Sequence, residues 1–306
     1  MTANPSLDVV TVNFHSAALL PTTVDLVRRF AGSAARLFVV DNSPGDGAAD
    51  TVRELDPDAT VIGNTRNRGY AAAVNQALAT GDGELVLLLN PDVESVSGTF
   101  ADVVAAFGDA TVGAAVPRLV DPDGSPRPAY IREPTPFDLI SEDLALADRF
   151  PNWQRPQRYR ADAAGTAPRQ VDAATGACLF IRRAALDDVG PFDERFFVYY
   201  EETDWLIRAK RRGWRTLVLP TVEAVHRSTA SSPDVAPRHD LLLLESQHRY
   251  ARKHFGAVRA LAIRLVLMAV DAARIVRHSA RGRANRRRMA LDRIRIHVTT
   301  RGPRPS

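Results

Sequence analysis

The sequence predicts an α/β protein, with a mostly parallel central sheet covered by helices on both faces and a helical, basic C-terminal tail. Three observations predict it. Apolar runs such as LDVVTVNF (7–14) and LVLLL (85–89) alternate with helical stretches, the pattern of parallel strands buried on both faces. Polar, turn-forming residues close three of these strands: Asp41-Asn42, Asn67-Arg68-Gly69 and Asn90-Pro91-Asp92. Charge is segregated, with 16 Lys+Arg and 2 Asp+Glu from Arg249 onward against 24 and 34 in the preceding 248 residues.

The elements follow in order. Residues 7–14 read as a buried strand and 20–31 as an amphipathic helix. Strands at 37–40 and 59–62 precede an alanine-rich helix at 70–79, and 84–89 is an apolar strand stopped by Asn90-Pro91-Asp92. A helix at 98–107 and a strand at 112–116 complete the first half. Prolines 122, 126, 128, 134, 136, 151, 156 and 168 make residues 121–169 loop-rich, with one helix near 137–147, and long loops in compact domains are usually functional. A strand at 175–182, a short helix ending at Gly190, a helix at 201–212 and strands at 214–219 and 222–225 come next. The chain divides into a catalytic unit at 1–240, with halves at 1–120 and 121–240, and a basic helical region at 241–306.

The composition, 45% hydrophobic and 25% charged over 306 residues, is that of a globular protein with a full core. No run approaches the ~18 apolar residues of a membrane-spanning helix. The start MTANPSLDVV lacks the basic and apolar stretches of a signal peptide, so a cytoplasmic location is expected. Cys178 is the one cysteine; within ACLFI it reads as a buried structural thiol.

The tail, near +14 against a body near −10, is suited to polyanions. In residues 257–279 the charges share one sector. At 100° per residue from Arg259, Arg264, Asp271, Arg274 and Arg277 fall at about 140°, 120°, 60° and 0°. Such a helix either packs on the body or lies on a membrane surface.

Ligands of open parallel sheets bind beyond the carboxyl ends of the strands. Asp41-Asn42, Asn64, Asn67-Arg68-Gly69 and Asn90-Pro91-Asp92 all fall there. Asp92 is placed to hold a hard divalent cation against a diphosphate; an N-cap or turn role is the plain alternative. Tyr199-Tyr200-Glu201-Glu202-Thr203-Asp204-Trp205 sets three carboxylates at a helix start, where acidic residues are favoured anyway. By spacing, Glu201 and Asp204 share a face while Glu202 points elsewhere. A carboxylate against aromatic walls has the raised pKa of a general base. His226, at a strand end, is a candidate second metal ligand.

Together these pieces resemble glycosyltransferase family 2, in its bacterial rhamnosyltransferase-like branch. The matching segments are VVTVNFHS (9–16), VVDNSPGDG (39–47), NRGYAAAVNQAL (67–78), LLLNPDV (87–93), TGACLFIRRAALDDVGPFDERFF (175–197), YYEETDWLIRAKRRGW (199–214) and LPTVEAVH (219–226). The resemblance implies a GT-A fold, a nucleotide-sugar donor and single displacement with inversion. It implies Asp41 at the nucleobase or ribose, Asn67 to Gly69 near the nucleotide, and Asp92 and His226 as ligands of Mg2+ or Mn2+. Glu202 aligns with the catalytic base, although relatives usually carry Glu-Asp where this chain has Glu-Glu. Asn42, Arg68, Asn90, Gly176, Ala177, Glu201, Asp204 and Trp205 complete the expected substrate site. The expected donor is dTDP-L-rhamnose and the expected acceptor a glycan or a polyprenyl-diphosphate-linked sugar. The tail is expected to meet an anionic membrane at the inner face of the cytoplasmic membrane, and a homo-oligomer is compatible with the chain.

Three other readings compete. A galactofuranosyl or other hexosyl transferase would use the same fold. A nucleotidyltransferase needs a glycine-rich phosphate loop near its start, and residues 7–20 hold no glycine. A nucleic-acid binder would interleave aromatics with its basic residues; the tail does not, so no nucleic-acid partner is expected.

Overall fold

A computed structural model of the chain describes residues 5–127, 129–144, 167–227 and 236–299. Strand β1, Leu7–Asn13, is buried at every position. It pairs in parallel with β2, Ala35–Asp41, on one side and β4, Leu85–Leu89, on the other. Strand β3, Thr60–Gly63, extends the parallel half beyond β2. Helices α1, Leu20–Ala31, α2, Ala48–Leu55, and α3, Tyr70–Thr80, connect these strands. Strands covered on both faces are mostly apolar, which is why these carry no alternation; the buried polar residues of β1, Asp8, Thr11 and Asn13, are each hydrogen-bonded.

Beyond β4 the sheet is mixed. Its order is β3-β2-β1-β4, then β10 (Cys178–Arg182), β6 (Val112–Val120), β11 (Arg215–His226) and β5 (Val93–Ser97), with β8, Arg169–Val171, also on β11. Strand β10 runs antiparallel to both β4 and β6. Strand β11 is parallel to β6 and antiparallel to β5. The two strands expected at 214–219 and 222–225 are thus one. Its register on β6 shifts between Leu219 and Glu223, around Pro220, because a proline inside a strand is accommodated at an irregularity. Strand β5 was not anticipated from the sequence: VESVS is short and only its first residue is buried. Helix α4, Phe100–Ala106, and a short pair of β7, Tyr130–Ile131, with β9, Ala173–Ala174, complete this half. Cys178 is fully buried between strands, and burial pushes its thiol up to about 12, as a structural thiol requires.

Helix α5, Pro136–Asp143, is opened by a Thr135–Asp138 capping box; the last three residues of the helix expected at 137–147 lie outside the described residues. Helices α6, Arg183–Val189, and α7, Glu201–Arg211, follow β10. The tail is a helical pair: α8, Ala236–Ala280, broken at Gly256, and α9, Ala284–Thr299. A second apolar cluster seats it, joining Leu139, Phe196, Leu244, Tyr250, Ile263, Leu267 and Ile296. Among the described residues no helix is long and apolar enough to cross a membrane.

Candidate active site

The site lies where β2, β4 and β11 end and α7 begins. Asp41 is nearly buried and its Oδ1 accepts from Asn13 Nδ2 and from the Ser43 backbone N–H, both at 2.9 Å. Asn42 reads the next loop: its Oδ1 accepts from Asn64 Nδ2 at 2.9 Å and its Nδ2 donates to the Gly69 carbonyl at 3.3 Å. Asn67 Oδ1 accepts the Gly69 N–H at 2.9 Å. Gly69 has φ +87°, and a Cβ there would lie 2.5 Å from the Phe197 carbonyl oxygen. Only glycine permits both the turn and the close approach. Tyr70 N–H then donates to that carbonyl at 2.6 Å, and Asn75 bonds both the N–H and the carbonyl of Phe192. The Asn67–Gly69 segment is therefore pinned to the loop that leads to α7. Arg68 donates its own N–H to Asn42 Oδ1 at 3.4 Å.

Asn90 and Asp92 follow β4. The Asn90 N–H donates to the Ala177 carbonyl at 2.9 Å, and Asn90 Oδ1 accepts from Tyr70 Oη at 3.3 Å. Asp92 and His226 are 134 residues apart in sequence, yet Asp92 Oδ1 and His226 Nε2 are 3.0 Å apart. The antiparallel pairing of β5 with the end of β11 achieves this: His226 pairs with Val93, and the Arg227 N–H donates to the Asp92 carbonyl.

Across the cleft, Glu201 is buried and Glu202 partly buried at the N-terminus of α7. Gly176 faces Glu202; a Cβ on it would make ordinary 3.6 Å contacts with Glu202 Cβ and Cγ. Burial first, and then the charge of Glu202, push Glu201 well above the usual carboxylate range. Burial pushes Glu202 up to about 7. Two neighbouring carboxyls in one dry site titrate as a pair, and near neutral pH they hold a proton between them. Tyr199 and Tyr200, which present the pair, both have φ 69°. Left-handed backbone at two successive aromatic residues is strained, as functional sites often are.

Tyr70 links the two poles and was not singled out from the sequence. Burial raises its pKa, and so do the charges of Glu201, Glu202 and Asp92; the same three charges act on Tyr199. The signal in the sequence was an aromatic residue immediately after the NRG turn. Asp204 and Trp205 are not brought to this cleft. Asp204 is fully buried among Arg208, Lys253 and His254, which hold its carboxyl below the usual range despite burial. Trp205 stacks on Phe192 and donates its indole N–H to the Gly190 carbonyl at 2.9 Å. The expectation that Glu201 and Asp204 act on one face gives way to a pairing of Glu201 with Glu202.

Among the described residues, six buried side-chain polar atoms have no hydrogen-bond partner, and three of them are here: Glu201 Oε2, Glu202 Oε2 and His226 Nδ1. Unsatisfied buried atoms clustered in a native cleft point to a ligand. The donor set also fits a divalent cation. Adjacent octahedral ligands at about 2.1 Å from Mg2+ or Mn2+ stand about 3 Å apart, and the Asp92–His226 separation is 3.0 Å. An imidazole is softer than Mg2+ usually takes, which tilts the pair toward Mn2+. No group of three or more His, Cys, Asp or Glu side chains suited to a metal gathers among the described residues. A cation here would draw its other ligands from phosphate and water.

The family model for glycosyl transferase family 2 matches residues 8–190. N-acetylglucosaminyl-diphospho-decaprenol L-rhamnosyltransferase of Mycobacterium tuberculosis is 30% identical over 273 residues, covering 83% of this chain and 87% of that protein. The low-salt glycan biosynthesis hexosyltransferase Agl10 of Haloferax volcanii is 25% identical over 224 residues, 72% of this chain and 66% of its own. Among solved structures, the mannosyltransferase PcManGT from Pyrobaculum calidifontis, in complex with GDP-Man and Mn2+, superposes with a TM-score of 0.54 at 18% identity, over 97% of this chain and 88% of its own.

Proposed function

The chain belongs to glycosyl transferase family 2 and has the GT-A fold, and from that premise we propose that it moves L-rhamnose from dTDP-L-rhamnose to a polyprenyl-diphosphate-linked sugar in cell-envelope polysaccharide synthesis. The mycobacterial relative supports the rhamnosyl group and the lipid-linked acceptor, since its name describes rhamnosyl transfer to such a lipid and the match spans most of both chains. The observation that carries the chemistry is the meeting of two acidic poles around Tyr70.

Glu202 is the base. With its pKa pushed up to about 7, it accepts the proton of the acceptor hydroxyl as that oxygen attacks the anomeric carbon. One displacement inverts the configuration, and no covalent enzyme intermediate forms. Glu201 keeps the pair's one proton, so Glu202 carries its charge without a second carboxylate charge beside it. Asp41, Asn42 and the Asn67–Gly69 turn hold the nucleotide, and Asn90, Gly176 and Ala177 line the sugar between the poles. Asp92 and His226 are the residues that would hold Mn2+ or Mg2+, which when bound offsets the charge growing on the departing diphosphate. A lipid-linked acceptor places the enzyme peripherally at the inner face of the cytoplasmic membrane.

A donor screen tests the reading. Purified protein with Mn2+ or Mg2+ receives dTDP-L-rhamnose, UDP-galactofuranose, UDP-glucose or GDP-mannose and a polyprenyl-diphosphate-linked N-acetylglucosamine. Transfer from dTDP-L-rhamnose is expected. Transfer from a UDP-hexose with none from dTDP-L-rhamnose overturns the rhamnosyl assignment.

A further inference from the structure

The second half of α8 carries apolar side chains on both its inner and its outer face. On the inner face Ile263 and Leu267 join the second apolar cluster, and Asp271 is fully buried against Arg274, Arg293 and His297, both arginines also reaching Asp143 of α5. The outer face is apolar as well. Val258 is 83% exposed, Leu261 54%, Leu265 50%, Val266 43% and Val276 70%. Counted from Arg259 at 100° per residue, these five fall between about 200° and 340°, opposite the buried ionic groups at about 60–140°. No Asp, Glu, Lys or Arg of residues 257–280 falls inside that arc. Single exposed apolar residues are ordinary on a protein surface; a row of them over about five helical turns is not.

Arg259 and Arg277 border the row. Where α8 gives way to α9, Arg281, Arg283, Arg286, Arg287 and Arg288 are exposed and enter no ion pair among the described residues. We propose that this face docks on an anionic phospholipid surface, the apolar row entering the headgroup boundary and the arginines meeting lipid phosphates. The proposal rests on the lipid-linked acceptor reading and adds to it the surface that meets the bilayer. Charge selects lipid over a second copy of the chain, since a partner copy would bring its own arginine border against this one. The face is also tied to the active site. Before the Gly256 break, Ser246 Oγ donates to the Val198 carbonyl at 2.7 Å and the Tyr250 ring stands 5.2 Å from that of Tyr200. The docked helix thus continues from the one that holds the base loop.

Vesicle flotation of the full chain decides the matter, with phosphatidylcholine alone or with a third phosphatidylglycerol. Wild type is expected to float with the anionic vesicles and to stay down with the neutral ones. Leu261→Asp/Leu265→Asp should lower the floated fraction about tenfold with an unchanged thermal midpoint, because both side chains are exposed. Arg286→Glu/Arg287→Glu/Arg288→Glu should lower it at low salt. Wild type that does not float at low salt, or a leucine variant that floats as wild type does, overturns the docking surface. So does a dimer in light scattering that the leucine variant breaks, which would assign the face to a second copy. Rhamnosyl transfer to a short, water-soluble diphosphate acceptor separates the two levels. It should be unchanged in the leucine variant. Wild type that floats but transfers to no lipid-linked acceptor overturns the acceptor reading and leaves the docking surface standing.

Discussion

The first turn of α7 carries three carboxylates, and the two sides of that turn treat them in opposite ways. On the side toward α8, Asp204 is enclosed by Arg208, Lys253 and His254 and is held below the usual carboxylate range. On the cleft side, Glu201 and Glu202 each keep a buried oxygen without a partner, and both are pushed upward. Desolvation acts on all three. What differs is the counter-charge, so burial alone does not make an acid into a base; burial without a cation does.

The largest expected effect sharpens the comparison with a fourth carboxylate. Asp92 is satisfied by His226, yet it belongs to the cleft. Asp92→Ala should lower turnover about a thousandfold, or about 4 kcal/mol, while the thermal midpoint moves by only a few degrees. Full activity of the wild type in excess chelator would remove the metal role.

Next comes Asp204→Ala, which removes the buried carboxylate that Arg208, Lys253 and His254 share. It should lower unfolding free energy by about 3 kcal/mol in urea titrations, with turnover of the remaining folded protein nearly intact. An unmoved denaturation midpoint with lost turnover would break the comparison.

Glu202→Gln should do the reverse. Turnover should fall about 100-fold, near 2.7 kcal/mol, with the donor KM retained. If Asp204→Asn abolishes transfer and Glu202→Gln does not, the base is on the other side of the helix.

The smallest effect is on stability against pH. Glu202 binds its proton more tightly folded than unfolded, so its contribution is full below about 4.5 and is lost as pH rises through about 7. Glu202→Gln should therefore stabilise the protein at pH 8 and not at pH 4, read as a shift of the urea midpoint. Asp204, held low, has the opposite sign: its contribution is present above the ordinary aspartate range and is lost below it. In wild type, the acid limb of kcat/KM should have an apparent midpoint near 7, reflecting the Glu201–Glu202 pair. Equal pH slopes for the two variants would erase the distinction.

The parallel half of the fold was legible because β1, β2 and β4 are buried throughout, or nearly so, and read as mostly apolar runs. The polar strand ends that follow them were legible for the same reason. The edge was not: β5 is short and mostly solvent-facing, and the juxtaposition of Asp92 with His226 depends on that strand. Helical spacing put Glu201 with Asp204, but it cannot show that Lys253 and His254 arrive from α8 to claim Asp204. The tail's charged sector was visible as a pattern. That the sector faces inward depends on Asp143 of α5, which no periodicity within the tail reveals.

The left-handed pair Tyr199-Tyr200 has a consequence for how such a chain can be recombined. Both rings rest on the tail helix, Tyr199 against His239 at 4.4 Å and Tyr200 against Tyr250 at 5.2 Å. The backbone shape that presents Glu201 and Glu202 is thus retained by residues more than thirty positions downstream. A chimera that joins this catalytic unit to a relative's C-terminal helices inherits the unfavourable turn without the rings that retain it. Swapping tails to redirect such an enzyme therefore requires carrying His239 and Tyr250 across with the loop, as one heritable block.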